Sequence, residues 1–264
     1  MPDGLAIAEL LKWAVVAVAA FAGAFASAIT GYGTVLFLMP VLALTMGTSQ
    51  EAVSVLTLAA ILGNVTKGWL NRKDIDWAGV KWYLIGAVPT AALAAWFLTE
   101  VPDAVVYALM GMFLLGALIW RWVKKWKRKS AGEDQKPRET MPVKRLAWVG
   151  LFTGGLSALV GGAGPVAGPF FLATGMAKGV YVGTEAVASL GVHVVKLTAY
   201  GLNDLLTPRV LIVGVALSPL VIAGSWLGKK VLDRLSLKAF EIAVEITLLV
   251  AAMVLLWKGF TTPI

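Results

Sequence analysis

Apolar residues along the chain gather into ten long runs separated by polar gaps. They are Leu5–Ile29, Thr34–Met46, Glu51–Leu70, Ala78–Leu98 and Asp103–Val123, then Leu146–Val160, Pro165–Met176, Thr184–Leu206, Arg209–Leu227 and Leu237–Trp257. A helix needs roughly 20 apolar residues to cross about 30 Å of hydrocarbon, and several of these runs reach that length. The pattern predicts an all-α polytopic membrane protein. Between the fifth and sixth runs, Lys124 to Pro142 is dominated by Lys, Arg, Glu, Asp, Gln, Ser and Pro. Such a stretch cannot bury itself and reads as a loop. The chain therefore divides into a first transmembrane repeat, 1–123, a cytoplasmic linker, 124–142, and a second repeat, 143–264. Lys124, Lys125, Lys127, Arg128 and Lys129 in the linker read either as a solvated charge run or as a contact for anionic lipid.

Composition sharpens the class. Of 264 residues 59% are hydrophobic and only 14% charged, more apolar surface than a water-soluble domain can hide. The net charge of +8 would suggest nucleic acid in a soluble chain. Here the basic residues sit in the gaps between apolar runs, as cytoplasmic loops require, so no nucleic-acid partner is expected. With no cysteine and a single histidine, thiolate metal sites, disulfides and triad catalysis have nothing to build on. No phosphate loop, dinucleotide fingerprint, His-Glu-x-x-His pair or nucleophile elbow is present. No enzyme activity, cofactor or metal is expected. The first apolar run continues without a small-residue cleavage site, so it reads as a span and not as a signal peptide.

Lys and Arg also set the orientation. Arg72, Lys73, Lys81, the linker, Lys178, Lys229, Lys230, Arg234 and Lys238 belong inside, while the gaps holding Glu51, Glu100, Asp103 and Asp204 belong outside. Both termini then come out external and the linker cytoplasmic, so the two halves are oppositely oriented, the inverted-repeat plan of many secondary transporters. Trp69, Trp77, Trp82, Trp96, Trp122, Trp126, Trp148 and Trp257 lie near run ends, where indole rings anchor at the headgroup level.

The halves also resemble each other. Ser27-Ala-Ile-Thr-Gly31-Tyr-Gly33 lines up without a gap on Ser157-Ala-Leu-Val-Gly161-Gly-Ala163, and a four-residue insertion then brings Glu51-Ala-Val onto Glu185-Ala-Val. In each half a glycine break, Gly31-Tyr32-Gly33 or Gly161-Gly162-Ala163-Gly164, precedes a run of only 13 or 12 residues, too short to cross comfortably. Non-helical backbone at membrane depth survives only inside protein or beside a wet cavity. Each half is therefore predicted to dip a broken or re-entrant helix toward the midplane, from opposite sides.

At such a break the next helix starts with unpaired N–H groups and the positive end of its dipole, and two facing starts form a cradle for an anion. The candidate substrate-binding residues are Thr30, Gly31, Tyr32, Gly33 and Thr34 in the first break and Gly161, Gly162, Ala163 and Gly164 in the second. Asn64, His193 and Lys196 join them from the following runs. Lys196 lies mid-run, three residues after His193 and on the same helical face. It reads either as a fixed charge for the anion or as the partner of Glu245 or Glu185, and His193 either as a donor or proton carrier or as a group bonded to a carbonyl. Glu185 and Glu245 are candidates for ion coupling. Asn64 is read as the counterpart of Thr198, and Lys67 as a residue that snorkels to the inner surface. Two rivals stand beside the anion reading. One is a cation channel or transporter that uses the broken-helix carbonyls with Glu51, Glu185 and Glu245; the other is a membrane protein without transport, whose breaks pack dry.

The duplicated glycine breaks, each followed by an apolar run with Pro40 or Pro169, and the small-residue regions Glu51–Val55 and Glu185–Ser189 resemble the sulfite exporter TauE/SafE family, also called the toluene-sulfonate uptake permease family. The resemblance covers nearly the whole chain. It implies a multi-pass protein of the prokaryotic inner (plasma) membrane that carries a small sulfur-containing anion, such as sulfite, sulfoacetate or another organosulfonate, with export the expected direction; the two-fold repeat and the paired breaks make alternating access the expected mechanism. The lipid bilayer is the expected surrounding, and Trp and small residues on the outer faces serve either lipid or the contacts of a homodimer.

Overall fold

The computed structural model describes residues 2–130, 140–176, 178–231, 249–250 and 252–263. The described residues form helices α1 (Pro2–Thr30), α2 (Gly33–Thr45), α3 (Ser49–Leu70), α4 (Trp77–Trp96), α5 (Asp103–Ser130), α6 (Leu146–Val160), α7 (Gly164–Ala173), α8 (Lys178–Leu202) and α9 (Pro208–Val231). A last helix, α10 (Ala252–Thr261), follows. Among the described residues seven helices are long and apolar enough to span a membrane, while α2, α7 and α10 are shorter. Glu245 and most of the predicted run Leu237–Trp257 lie outside the described residues.

Local chemistry sets several ends. Thr48 accepts a hydrogen bond from the Glu51 N–H at the start of α3, and Asp76 accepts from Ala78 and Gly79 at the start of α4. The α8 boundary differs from the predicted Thr184. The helix begins at Lys178, because the stretch Gly179–Gly183 is helical although weakly apolar, and it ends before Asp204, whose φ of 57° turns the chain out of the helix. Glu185 is therefore two turns inside α8, whereas Glu51 is in the first turn of α3, where it pairs with Arg209 at 3.9 Å. The two Glu-Ala-Val segments do not occupy equivalent places.

The helices pack in matched pairs. α1 lies on α9 as α6 lies on α4, α3 touches α9 as α8 touches α4, and α3 and α8 meet at the centre. Proline sits inside both α4, at Pro89, and α9, at Pro219. In both outer pairs the backbones touch through glycines four residues apart. A Cβ at Gly150 or Gly154 of α6 would lie 2.2 Å from the Tyr83 carbonyl oxygen or 2.3 Å from that of Ala87 on α4. One at Gly224 or Gly228 of α9 would lie 2.5 Å from the Phe21 carbonyl oxygen or 2.3 Å from that of Phe25 on α1. Close backbone approach through small residues is how helices associate where lipid removes the hydrophobic incentive. Trp69, Trp77, Trp96, Trp122, Trp126, Trp148 and Trp257 are exposed on the outside of the bundle, and Trp82 is half-buried beneath Lys144.

Candidate functional site

Helix α1 stops at Thr30 and α6 at Val160, because the next residues, Gly31 and Gly161, have φ of 91° and 83°. Only glycine adopts this left-handed backbone at no steric cost. After each break a short helix restarts, α2 behind Tyr32 and α7 behind Ala163, and neither start carries a side-chain cap. Pro165 falls in the first turn of α7, where its missing N–H is no loss. The two breaks touch. A Cβ on Gly162 would meet Val35, and one on Gly164 would meet Tyr32.

The carbonyl ends of the interrupted helices are occupied by side chains. Lys67 of α3 donates to the Gly31 carbonyl at 2.7 Å and to Ser27 Oγ at 3.0 Å, and Ser27 donates to the same carbonyl at 2.9 Å. Lys196 of α8 donates to the carbonyls of Ser157 and Gly161 at 2.8 and 3.0 Å. Tyr181 donates to the Thr30 carbonyl at 2.7 Å and Tyr200 to that of Ala158 at 2.8 Å. Both lysines are buried, so the predicted snorkelling of Lys67 is corrected. Its ammonium turns inward because the end of α1 offers two oxygens there that water does not reach. The structure also corrects the partner of Asn64. Asn64-Val-Thr-Lys67 and His193-Val-Val-Lys196 hold the same positions against the two breaks, whereas Thr198 is exposed and bonds its own helix at the Val194 carbonyl.

Between the breaks lies a polar cavity of about 30 Å³, room for one or two waters. The first break contributes Ser27, Gly31, Tyr32, Thr34 and Val35, and the second Ser157, Gly162, Ala163 and Gly164. Asn64 and Ala60 of α3 face it with His193 and Ser189 of α8, and Val192, Tyr83 and Glu185 complete the lining. Of the predicted residues, Thr30, Gly33, Gly161 and Lys196 lie outside this lining. Thr30, Gly161 and Lys196 belong to the capping layer behind it, and Gly33 is pressed against the backbone of α1 at Ser27.

Glu185 is buried 3.6 Å from the Lys67 ammonium and accepts a hydrogen bond from Ser189 at 2.7 Å. Of the two buried lysines it is thus Lys67, and not Lys196, that pairs with Glu185. Glu185 Oε2 and His193 Nδ1 are buried without a hydrogen-bond partner. Sequence reasoning missed Ser27, Ser157, Tyr83, Ser189 and the role of Lys67. The signal that could have found Lys67 is the spacing it shares with Lys196, a polar residue three positions earlier on the same face.

The family model described as sulfite exporter TauE/SafE matches residues 15–255. No curated protein matches the chain, and no solved structure does. The match spans nearly the whole chain, and the chain belongs to this family of membrane transporters.

Proposed function

We propose that this member of the sulfite exporter TauE/SafE family carries sulfur-containing oxyanions, such as sulfite, sulfoacetate or other organosulfonates, out across the prokaryotic inner membrane by alternating access. The carrying observation is the polarity of the two breaks. Their carbonyl ends are bonded to Lys67, Lys196, Tyr181 and Tyr200, while the starts of α2 and α7 face the cavity without side-chain caps. Uncapped helix starts present N–H groups and positive dipole ends, which suit an oxyanion. A cation would need the carbonyls, and lysine ammonium groups already hold them.

Thr34, Asn64 and His193 supply side-chain contacts at the cavity wall. Lys67 and Lys196 act from behind it, orienting the breaks and adding positive charge. An oxyanion of four or more heavy atoms needs more room than about 30 Å³, so binding requires the breaks to part. That favours a site opened first toward one side and then toward the other. The matched helix pairs favour a two-fold inverted repeat with both termini external and the linker cytoplasmic.

Purified protein in liposomes is expected to move labelled sulfite or sulfoacetate down its gradient, with each anion competing for the other. Flux of sodium or potassium in place of the anion would overturn the reading.

A further inference from the structure

The cavity is lined by corresponding positions of α3 and α8, and comparing the two helices isolates one residue. With Lys67 and Lys196 in equivalent places, Asn64 stands opposite His193 and Ala60 opposite Ser189, and all four line the cavity. The same register puts Glu185 where the other half has Leu56. Contacts agree: a Cβ on Gly161 would lie 2.5 Å from Leu56 Cδ2, and one on Gly31 would lie 3.4 Å from Glu185 Oε2. Each side chain faces the glycine of the opposite break, one as hydrocarbon and the other as carboxylate. The fold therefore does not require an acid there, since the matching position is filled by leucine. The carboxylate is nevertheless kept, buried at the cavity wall, with Oε2 held 3.6 Å from the Lys67 ammonium and making no hydrogen bond.

A carboxylate beside an anion site opposes the anion. Two like charges ~5 Å apart at an effective dielectric of ~20 repel strongly enough to weaken binding roughly two- to three-hundredfold. A proton on Oε2 removes that repulsion. Before binding, the buried cluster holds two ammonium groups and one carboxylate. After a proton and a monoanion enter, it holds two ammonium groups, a neutral carboxyl and the anion. Its net charge is unchanged, so the charged centre crosses between open states at the same electrostatic cost, loaded or empty.

Resting on the anion reading above, we propose that Glu185 is a proton site coupled to the anion site, taking up one proton from water as a monoanion binds and releasing it as the anion leaves. Proton and anion then travel in the same direction. The other titratable and charged groups around Glu185 are Lys67 from α3, Tyr83 from α4, Tyr32 just ahead of α2, and Tyr181 and His193 from α8, with Lys196 next to His193. Of these His193 is the rival proton carrier, and the test separates the two.

Binding of methanesulfonate, which stays singly charged across the working range, is measured calorimetrically on the full chain in mild detergent between pH 5 and 9. In the wild type the Kd is expected to rise with pH across this range, with close to one proton taken up per anion, read from two buffers of different ionisation enthalpy. Glu185→Gln is expected to bind with a nearly flat pH profile and no proton uptake. A flat wild-type profile without proton uptake overturns the proposal. So does a Glu185→Gln profile as steep as the wild type's, which would assign the proton to His193 or to one of the two buried lysines. Should Glu185→Gln fail to fold, the wild-type proton count and the profile of His193→Asn decide: coupling that persists in His193→Asn supports Glu185, and coupling that vanishes there overturns it. Binding of neither methanesulfonate nor sulfite at any pH would overturn the anion reading itself and this proposal with it. If sulfite alone binds, the wild-type and Glu185→Gln profiles for sulfite decide in the same way: a steeper wild-type profile supports Glu185, and equal slopes overturn it.

Discussion

Replacing Lys196 by methionine tests whether this buried cation holds the backbone or the substrate. In the native protein its Nζ donates to the carbonyls of Ser157 and Gly161, at 2.8 and 3.0 Å, at the last turn of α6. Methionine keeps most of the side-chain volume but leaves both oxygens without this donor. Each stranded acceptor costs about 1–3 kcal/mol, and loss of a cation at a helix C-terminus costs a further ~0.3–2 kcal/mol. Against this, methionine no longer has to bury a charge, which offsets part of the loss. The expected net destabilisation is about 2–4 kcal/mol, measured as a lower denaturation midpoint in mixed micelles, together with weakened anion binding because the second break is no longer held in shape. If Lys196→Met unfolded like the wild type yet bound no anion, the lysine would be a direct ligand and the capping argument would be wrong. If stability and binding both survived, it would have neither role.

Lys67→Met is expected to cost more than Lys196→Met because it also strands Glu185, about 3–5 kcal/mol in total. Adding Glu185→Leu, which copies the Leu56 arrangement, is expected to recover part of that loss, and strictly additive denaturation midpoints would refute the coupling. Gly31→Ala and Gly161→Ala each force a left-handed β-carbon, costing about 1–2 kcal/mol, and push it against Tyr181 or Leu56. Both are expected to lose anion flux in liposomes, and wild-type flux in either would show that the break does not need its glycine. Gly154→Leu is expected to prevent assembly of α6 on α4, read as loss of a monodisperse peak in gel filtration, because even its Cβ would lie 2.3 Å from the Ala87 carbonyl oxygen. Tyr181→Phe leaves the Thr30 carbonyl without its phenol donor and is expected to lower stability by about 1 kcal/mol, with an unchanged midpoint refuting that role.

The helices were legible because apolar run length is a one-dimensional signal. The predicted Thr34–Met46 run and α2 (Gly33–Thr45) differ by one residue at each end. The breaks were legible because Gly31 and Gly161 repeat at a fixed spacing and each precedes an undersized run. The capping layer was not. Matching Glu51-Ala-Val to Glu185-Ala-Val, a likeness of residue types, imposed a four-residue insertion and moved Lys67 out of register with Lys196. The spatial register, in which α3 and α8 start at Ser49 and Lys178, is set by packing against the breaks and leaves no such likeness at Glu185, where the other half has Leu56. Lysine at the end of a span also snorkels as readily as it turns inward. Only the position of the Gly31 carbonyl decides between those rotamers, and that position belongs to another helix.

The glycine-mediated pairs α1 with α9 and α4 with α6 cross between the two halves of the chain. Each interrupted helix is thus fastened, backbone to backbone, to a helix that the other half supplies. The halves cannot swing past one another as separate blocks without tearing these seams. In the alternating access proposed above, the moving part would then be a mixed body, one break together with its borrowed neighbour, sliding against the α3–α8 spine. The polypeptide is woven so that its mechanical parts are not its sequence parts.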